Sequence, residues 1–336
     1  MKRRTFTIGL GASLVASSLA RAQSVGQPAI GQTDALLILR HGKVVREEYG
    51  VDLGPTTRHI SWSMAKSITH ALAGIAVAEG RINLDRPLKS RPNGDPKLSL
   101  RSLLTLTDGL DWDEGDYDPA KSDAARMLYG PGRLNGAAYT AAKTQAHPPG
   151  TRWNYSTGAY QLAAAELQAN LFPDARAPGE RRAAMADWMT SRLFGPLGMT
   201  SAVAEFDASG GFVGGSLVYA TARDFARFGE LYRLDGVWNG RRILPPGWVA
   251  FARAPTVQPV YGAGFWLETK AGHSPRSLMD GAGPMDAFSA QGHNGQVILI
   301  IPSKSVVVVR LGLMDDGDAA WKALGEWLTP IVNGLA

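Results

Sequence analysis

The chain has 336 residues and no cysteine, which excludes disulfides, thiolate nucleophiles and thiolate metal sites together. Long apolar runs are scarce: beyond the first 22 residues no stretch has the length of a membrane span. Internal repeats and low-complexity tracts are also lacking. A dominant charge sign is missing too, although the whole chain carries a net +5. Four of its 35 basic residues, Lys2, Arg3, Arg4 and Arg21, fall within residues 1–22, which hold no acid. The remainder has 31 bases against 30 acids. A near-neutral body implies no nucleic-acid partner.

The N-terminus has the pattern of an export signal. A basic start precedes an apolar span from Ile8 to Leu19, and Ala20-Arg21-Ala22 supplies a small-x-small cleavage pattern before Gln23. The paired Arg3-Arg4 followed by Phe6 resembles a twin-arginine signal. The span is too short and too rich in Gly and Ser for a membrane anchor. These residues predict a mature protein that is periplasmic or secreted, with no membrane span after cleavage.

Hydrophobic periodicity places the elements. Ala35 to Arg40 and Lys43 to Tyr49 read as a hairpin turning at His41-Gly42. A helix beginning near Ser63 follows, with Ile68, Ala71, Leu72, Ile75 and Ala76 on its apolar period. From Ser99 to about residue 200 the pattern is helical and loop-rich, with helices expected over Ser99 to Leu106, Ala159 to Leu171 and Arg181 to Leu193. Thr221 to Leu234 reads as a threonine-capped amphipathic helix and Gly262 to Thr269 as a strand. Gln296 to Ile301 and Ser305 to Leu311 form a buried hairpin around Pro302-Ser303-Lys304. A closing helix carries Ala320, Leu324, Trp327, Leu328 and Ile331 on one stripe. The fold class expected is α+β: an antiparallel sheet flanked by helices, with an all-helical region inserted. The domain reading is 30–80 plus 205–336 for the sheet domain and 85–200 for the insertion.

Chemistry concentrates in three places. Ser63 and Lys66, three residues apart at a helix start, share a face and can exchange a proton. A hydroxyl nucleophile needs an adjacent base, and a desolvated lysine can serve. The pair alone is weak, because Ser-x-x-Lys arises about once by chance in a chain of this length. Tyr155, delivered by the turn Pro148-Pro149-Gly150, is either a proton shuttle, its pKa lowered by a nearby ammonium, or a core tyrosine. Gln291-Gly292-His293-Asn294-Gly295-Gln296 precedes an apolar strand. It is either a plain turn or a substrate edge at which the Gln296 amide completes an oxyanion hole with that of Ser63. Trp266 is a strand core residue or a pocket wall, and Tyr117, in a Gly- and Asp-rich run, is a lid residue or an exposed loop tyrosine. His70 reads as a core histidine. Asp315, Asp316 and Asp318 read as a helix start and not a cation site.

Taken in order, Ser63-x-x-Lys66, Tyr155-Ser156-Thr157 and His293-Asn294-Gly295 resemble the motifs of the serine β-lactamase and penicillin-binding superfamily, and its class C branch above all. Leu103 to Glu114 and Pro196-Leu197-Gly198-Met199 are similar to other runs of that branch. Gly214-Gly215-Ser216, Thr221-Ala222-Arg223-Asp224 and Gly236 to Gly240 resemble the 6-aminohexanoate-dimer hydrolase subgroup. The resemblance implies a β-lactamase-like fold and an acyl-enzyme mechanism. Ser63 would be the nucleophile, Lys66 its base and Tyr155 the relay to the leaving group, with which of Lys66 and Tyr155 takes the first proton left open. Neither metal nor cofactor is implied. Two departures stand out: His293-Asn294-Gly295 where β-lactamases carry Lys-Thr-Gly, and Tyr155-Ser156-Thr157 where they carry Tyr-x-Asn. A neutral histidine suits a β-lactam carboxylate less well than a permanent cation. The expected substrate is a small amide or ester, first a 6-aminohexanoate-type linear amide. The alternatives are a carboxylesterase, a D-alanyl-D-alanine peptidase or a non-catalytic binding relative. Oligomeric state is not legible.

Overall fold

The computed structural model describes residues 30–115, 118, 120–270 and 274–335; the export-signal residues and Tyr117 lie outside them. The first hairpin forms as expected, as β1 (Gln32–Arg40) and β2 (Lys43–Tyr49). The remaining strands of the main sheet are β3 (Trp266–Leu267), β4 (Phe288–Gly292), β5 (Gln296–Ile301) and β6 (Val306–Leu313). Their order is β2-β1-β6-β5-β4-β3, antiparallel throughout. The first and last hairpins therefore meet at the β1–β6 pair, where Leu37 faces Val309.

Burial on both faces explains why β5 and β6 are continuous apolar runs. Ala35, Leu37, Ile298, Ile300, Val307 and Val309 point into one core with α1 (Met64–Ala78) and a later amphipathic helix, Ala222–Arg233. Leu36, Ile38, Val297, Leu299, Val306 and Val308 point to the opposite face, covered by the C-terminal helix, Asp318–Asn333. That helix buries Trp321, Leu324, Leu328 and Val332. Ala320, Trp327 and Ile331 pack at its margin, so the inward stripe is rotated from the expected one.

Between α1 and the 222–233 helix, the described residues of 85–200 are helices and turns. They include α2 (Leu100–Leu104), α3 (Thr157–Leu171) and α4 (Pro178–Met189). Ser99 caps α2 through a capping box with Ser102, and Ser156 caps α3 by accepting from the Ala159 amide. α2 stops at Leu104 because Leu106 takes a positive φ of 57°, closed to a helical residue. In the fold, α5 is the amphipathic helix Ala222–Arg233, capped by Thr221 as expected, and α6 is the terminal helix Asp318–Asn333.

Gly262 to Thr269 is not one strand. Only Trp266–Leu267 extends. Gly264 has a φ of 75°, and its carbonyl accepts from Ser67 Oγ at 2.6 Å. The residues before β3 are thereby folded into a turn held against α1. Among the described residues no helix is long and apolar enough to cross a membrane.

Candidate active site

α1 is a central helix of small and apolar residues, buried over Met64–Ala76. A two-residue strand, His59–Ile60, pairs with Val218–Ala220 and fixes the approach to the helix. Trp62 then takes a φ of 44°, and this sharp turn presents Ser63 at the helix start. β4 closes on the same turn. A Cβ on Gly292 would lie 2.3 Å from the Ser61 carbonyl oxygen and 3.1 Å from Trp62 Cβ, so only glycine lets the strand approach so closely.

Lys66 is 1% exposed. Its Nζ lies 2.9 Å from Ser63 Oγ, 3.0 Å from Thr157 Oγ1 and 3.0 Å from the Gly215 carbonyl oxygen. Burial lowers its pKa to about 8, against an opposing pull from the Glu114 charge. Lys66 Nζ also sits 4.8 Å from the centre of the Tyr155 ring.

Tyr155 is held in an extended segment just ahead of α3. The Asn154 amide donates to the Leu106 carbonyl at 2.9 Å, and its side chain donates to the Trp112 carbonyl at 2.8 Å. Burial and then the Glu114 charge push the Tyr155 pKa well above the ordinary tyrosine value, against a smaller lowering by the nearby Ser63 hydroxyl. The expected lowering by an ammonium does not occur, since Lys66 faces the ring and not the oxygen. Tyr155 is therefore a protonated phenol at neutral pH.

Thr157, in the sequence only a departure from Tyr-x-Asn, and Glu114, only the end of a similar run, join the site. Thr157 Oγ1 accepts from Lys66 and donates to Glu114 Oε1. Glu114 Oε2 accepts from the Thr157 amide at 2.8 Å and from Trp112 Nε1 at 2.5 Å. The threonine thus fills the place at which the resemblance expects asparagine.

These groups open into a cavity of about 700 Å³, lined by Ser63, Glu114, Tyr155, Trp266, Arg276, Gln291, Gly292, His293, Asn294, Asp315 and Asp316 among others. Trp266 forms a wall, stacked on Tyr155 with ring centres 5.5 Å apart. His293 Nδ1 lies 3.1 Å from Asp316 Oδ2, and the His293 ring meets Trp62 edge-on. Arg276 lies over the rings of Trp266 and Trp321, 5.7 and 4.2 Å from their centres, with Asp316 at 3.7 Å. Asp316 also accepts from Trp321 Nε1 at 2.8 Å, which fits the helix-start reading and adds a cavity role. Arg276 carried no pattern in the sequence.

Gln296 is placed differently from expectation. It is not among the residues lining the cavity. Its position at the start of β5, paired with Gly292, puts it one strand further into the sheet, and its side chain donates to the Gly312 carbonyl at 2.6 Å. The strand end that reaches the Ser63 turn is Gly292–His293. Asn294, at a φ of 60°, and Gly295 form the turn between β4 and β5. His70 is buried against Tyr232 Oη at 2.7 Å, and burial lowers its pKa to about 3, so it is a neutral core residue.

The sequence matches the Beta-lactamase family over residues 31–313. A 6-aminohexanoate-dimer hydrolase from Paenarthrobacter ureafaciens is 27% identical over 304 residues, spanning 87% of this chain and 76% of that one. The structure of a Bacillus anthracis protein, provisionally assigned as a 6-aminohexanoate-dimer hydrolase, superposes with a TM-score of 0.71 at 20% identity, over 90% of this chain and 80% of its own. A β-lactamase from Mycobacterium bovis superposes with a TM-score of 0.63 at 20% identity, over 89% and 95% of the two chains. The two superpositions show a common fold. With the family match covering most of the chain, this protein belongs to the Beta-lactamase family and is a serine hydrolase of β-lactamase-like fold.

Proposed function

We propose that the chain is an amidase and esterase that cleaves short linear substrates through an acyl-enzyme on Ser63. The observation that carries this reading is the buried Lys66 Nζ, 2.9 Å from Ser63 Oγ and 4.8 Å from the centre of the Tyr155 ring, with Ser63 and Tyr155 lining one cavity. Lys66, with its pKa lowered to about 8, is the better base of the two partners, since Tyr155 is shifted the opposite way. The proton leaves Ser63 Oγ for Lys66 Nζ as Oγ bonds to the substrate carbonyl carbon. The Tyr155 hydroxyl then donates to the departing nitrogen or oxygen and is reprotonated by the Lys66 ammonium, so that the proton taken from Ser63 ends on the leaving group. Water then adds to the acyl carbon, the carboxylic acid leaves, and Ser63 Oγ recovers its proton. The amide of Ser63 and one from the Gly292–His293 strand end supply the oxyanion donors.

A linear amide bearing charged ends, of the 6-aminohexanoate-dimer kind, is the favoured substrate. Arg276 offers a cation to a carboxylate end, and Asp315 on the same lining offers an anion to an ammonium end of the same molecule. The Paenarthrobacter relative's name supports this choice. Export through a cleaved twin-arginine-like signal completes the proposal, on the residue pattern of 1–22 alone.

The test compares turnover of p-nitrophenyl butyrate and of the linear 6-aminohexanoate dimer by the mature protein and by Ser63→Ala. Loss of both activities in the variant supports the nucleophile, and the dimer rate separates an amidase from a pure carboxylesterase. Ester turnover that survives the substitution would remove Ser63 from the mechanism.

A further inference from the structure

We propose that Glu114 acts through Thr157 as a positioning residue, directing the Thr157 hydroxyl hydrogen away from Lys66 so that the lone pair of the neutral lysine has Ser63 as its only donor. The inference rests on Ser63 and Lys66 being nucleophile and base.

Lys66 Nζ has three neighbours at bonding distance, namely Ser63 Oγ, Thr157 Oγ1 and the Gly215 carbonyl oxygen. An ammonium fills all three directions with N–H bonds and cannot accept a proton. A neutral amine has two N–H bonds and one lone pair. The Gly215 carbonyl can only accept, so it takes one N–H. The hydroxyls of Ser63 and Thr157 can each accept or donate, so the lone pair could be used productively on Ser63 or wasted on Thr157.

Glu114 removes that choice. Its Oε1 takes the Thr157 hydroxyl hydrogen, while its Oε2 accepts the Thr157 amide and Trp112 Nε1 hydrogens. A carboxylate has no hydrogen to give, so Thr157 Oγ1 must donate to it and is left to accept from Lys66. The second N–H goes to Thr157, and the lone pair points at the Ser63 hydroxyl. Three residues that never touch the scissile bond therefore set the hydrogen-bond direction of the one pair that does.

Glu114→Gln tests this with almost no change of shape. The Oε2 site faces two N–H donors, so the amide oxygen must occupy it and the amide NH2 must face Thr157 Oγ1. That reverses the Thr157 hydrogen bond and sends the hydroxyl hydrogen toward the Lys66 lone pair. The charged and titratable groups around Lys66 are Tyr155 at its side and Glu114 behind Thr157, with Arg276, His293, Asp315 and Asp316 on the cavity lining. The substitution removes only the Glu114 charge among them, and that charge supports the protonated lysine.

Two opposing changes are expected in kcat/KM against pH with p-nitrophenyl butyrate. The acid limb moves to lower pH, and the plateau falls by roughly tenfold or more, a share of what a positioned base contributes. Thr157→Ser, which keeps the hydroxyl, retains the plateau. In a Thr157→Val background, Glu114→Gln lowers the plateau no further, since the hydrogen it orients is gone. Equal and multiplicative losses in both backgrounds, or a shifted limb with an unchanged plateau, would overturn the proposal. Ser63→Ala, run alongside, separates the outcomes. If Ser63→Ala keeps its activity, the underlying reading fails; if it is inactive while Glu114→Gln is unimpaired, only the positioning role fails.

Discussion

Arg310 donates to the carbonyl oxygens of both Asn294 and Gly295, at 3.1 and 2.9 Å, from the centre of the sheet. The same guanidinium reaches the carbonyls of Ile30 and Gln32 at 3.0 and 2.8 Å, and it is fully buried. One side chain thus pins the turn after β4 to the start of β1, and so the strand end that meets Ser63. Burial lowers its pKa to about 10, which leaves it charged at neutral pH. Arg310→Met keeps volume but abandons these carbonyls in an apolar sheet. Unfolding in urea is expected to show a loss of about 1–3 kcal/mol or more, the scale for leaving buried carbonyls without a donor. A loss below about 1 kcal/mol would mean the turn holds itself.

The pH dependence of catalysis follows from Lys66. With its pKa lowered to about 8 by burial, only about a tenth of the lysine is neutral at pH 7. As general base it must be neutral, so kcat/KM for p-nitrophenyl butyrate rises with pH and levels off above about pH 8. A flat profile between pH 6 and 9 would exclude Lys66 as the base. Stability moves in the same direction. An unfolded lysine titrates near ~10.4, so between about pH 8 and 10 the unfolded chain binds the extra proton. Lys66 therefore favours the folded state more as pH rises through that window.

How much of this site was legible depends on how far apart its parts lie in the chain. Ser63 and Lys66 are three residues apart on one helix, and helix geometry alone makes them neighbours. The apolar runs of β1, β5 and β6 likewise encode the sheet locally. Glu114 and Thr157 are 43 residues apart, and nothing in either segment announces the other. Gly262 to Thr269 has strand composition, but Gly264 in the left-handed region breaks it. Gln296 was one strand off because glycines flank both ends of the His293 turn. Only the fit of Gly292 against the Ser61 carbonyl tells which end faces the nucleophile.

Nitrocefin hydrolysis is expected to be slow despite the family to which the chain belongs. The resemblance matches His293 to the position at which β-lactamases carry lysine. Arg276, the cation on this cavity's lining, sits over Trp266 and Trp321 with Asp316 beside it. A β-lactam carboxylate would compete with Asp316 for that guanidinium. Nitrocefin turnover as fast as that of p-nitrophenyl butyrate would show that Arg276 substitutes fully for the missing lysine.

Gly158 links helix α3 to the proton network in a way that an ordinary substitution can expose. Alanine in place of glycine inside a helix ordinarily stabilises by about 0.5–1 kcal/mol. Here a Cβ would lie 2.3 to 2.7 Å from carbons of the Trp112 ring, too close for either to stay. Trp112 is 5% exposed, and its Nε1 holds Glu114 Oε2. The ring cannot retreat without releasing the carboxylate. Gly158→Ala is therefore expected to lose about 1–3 kcal/mol to overpacking and to lose turnover along with it, since a displaced Glu114 frees Thr157. Thermal unfolding and ester kinetics on the same sample separate the two effects. A Gly158→Ala protein that is more stable and equally active would show that Trp112 moves without carrying Glu114, and that the indole contributes nothing to the alignment of Lys66.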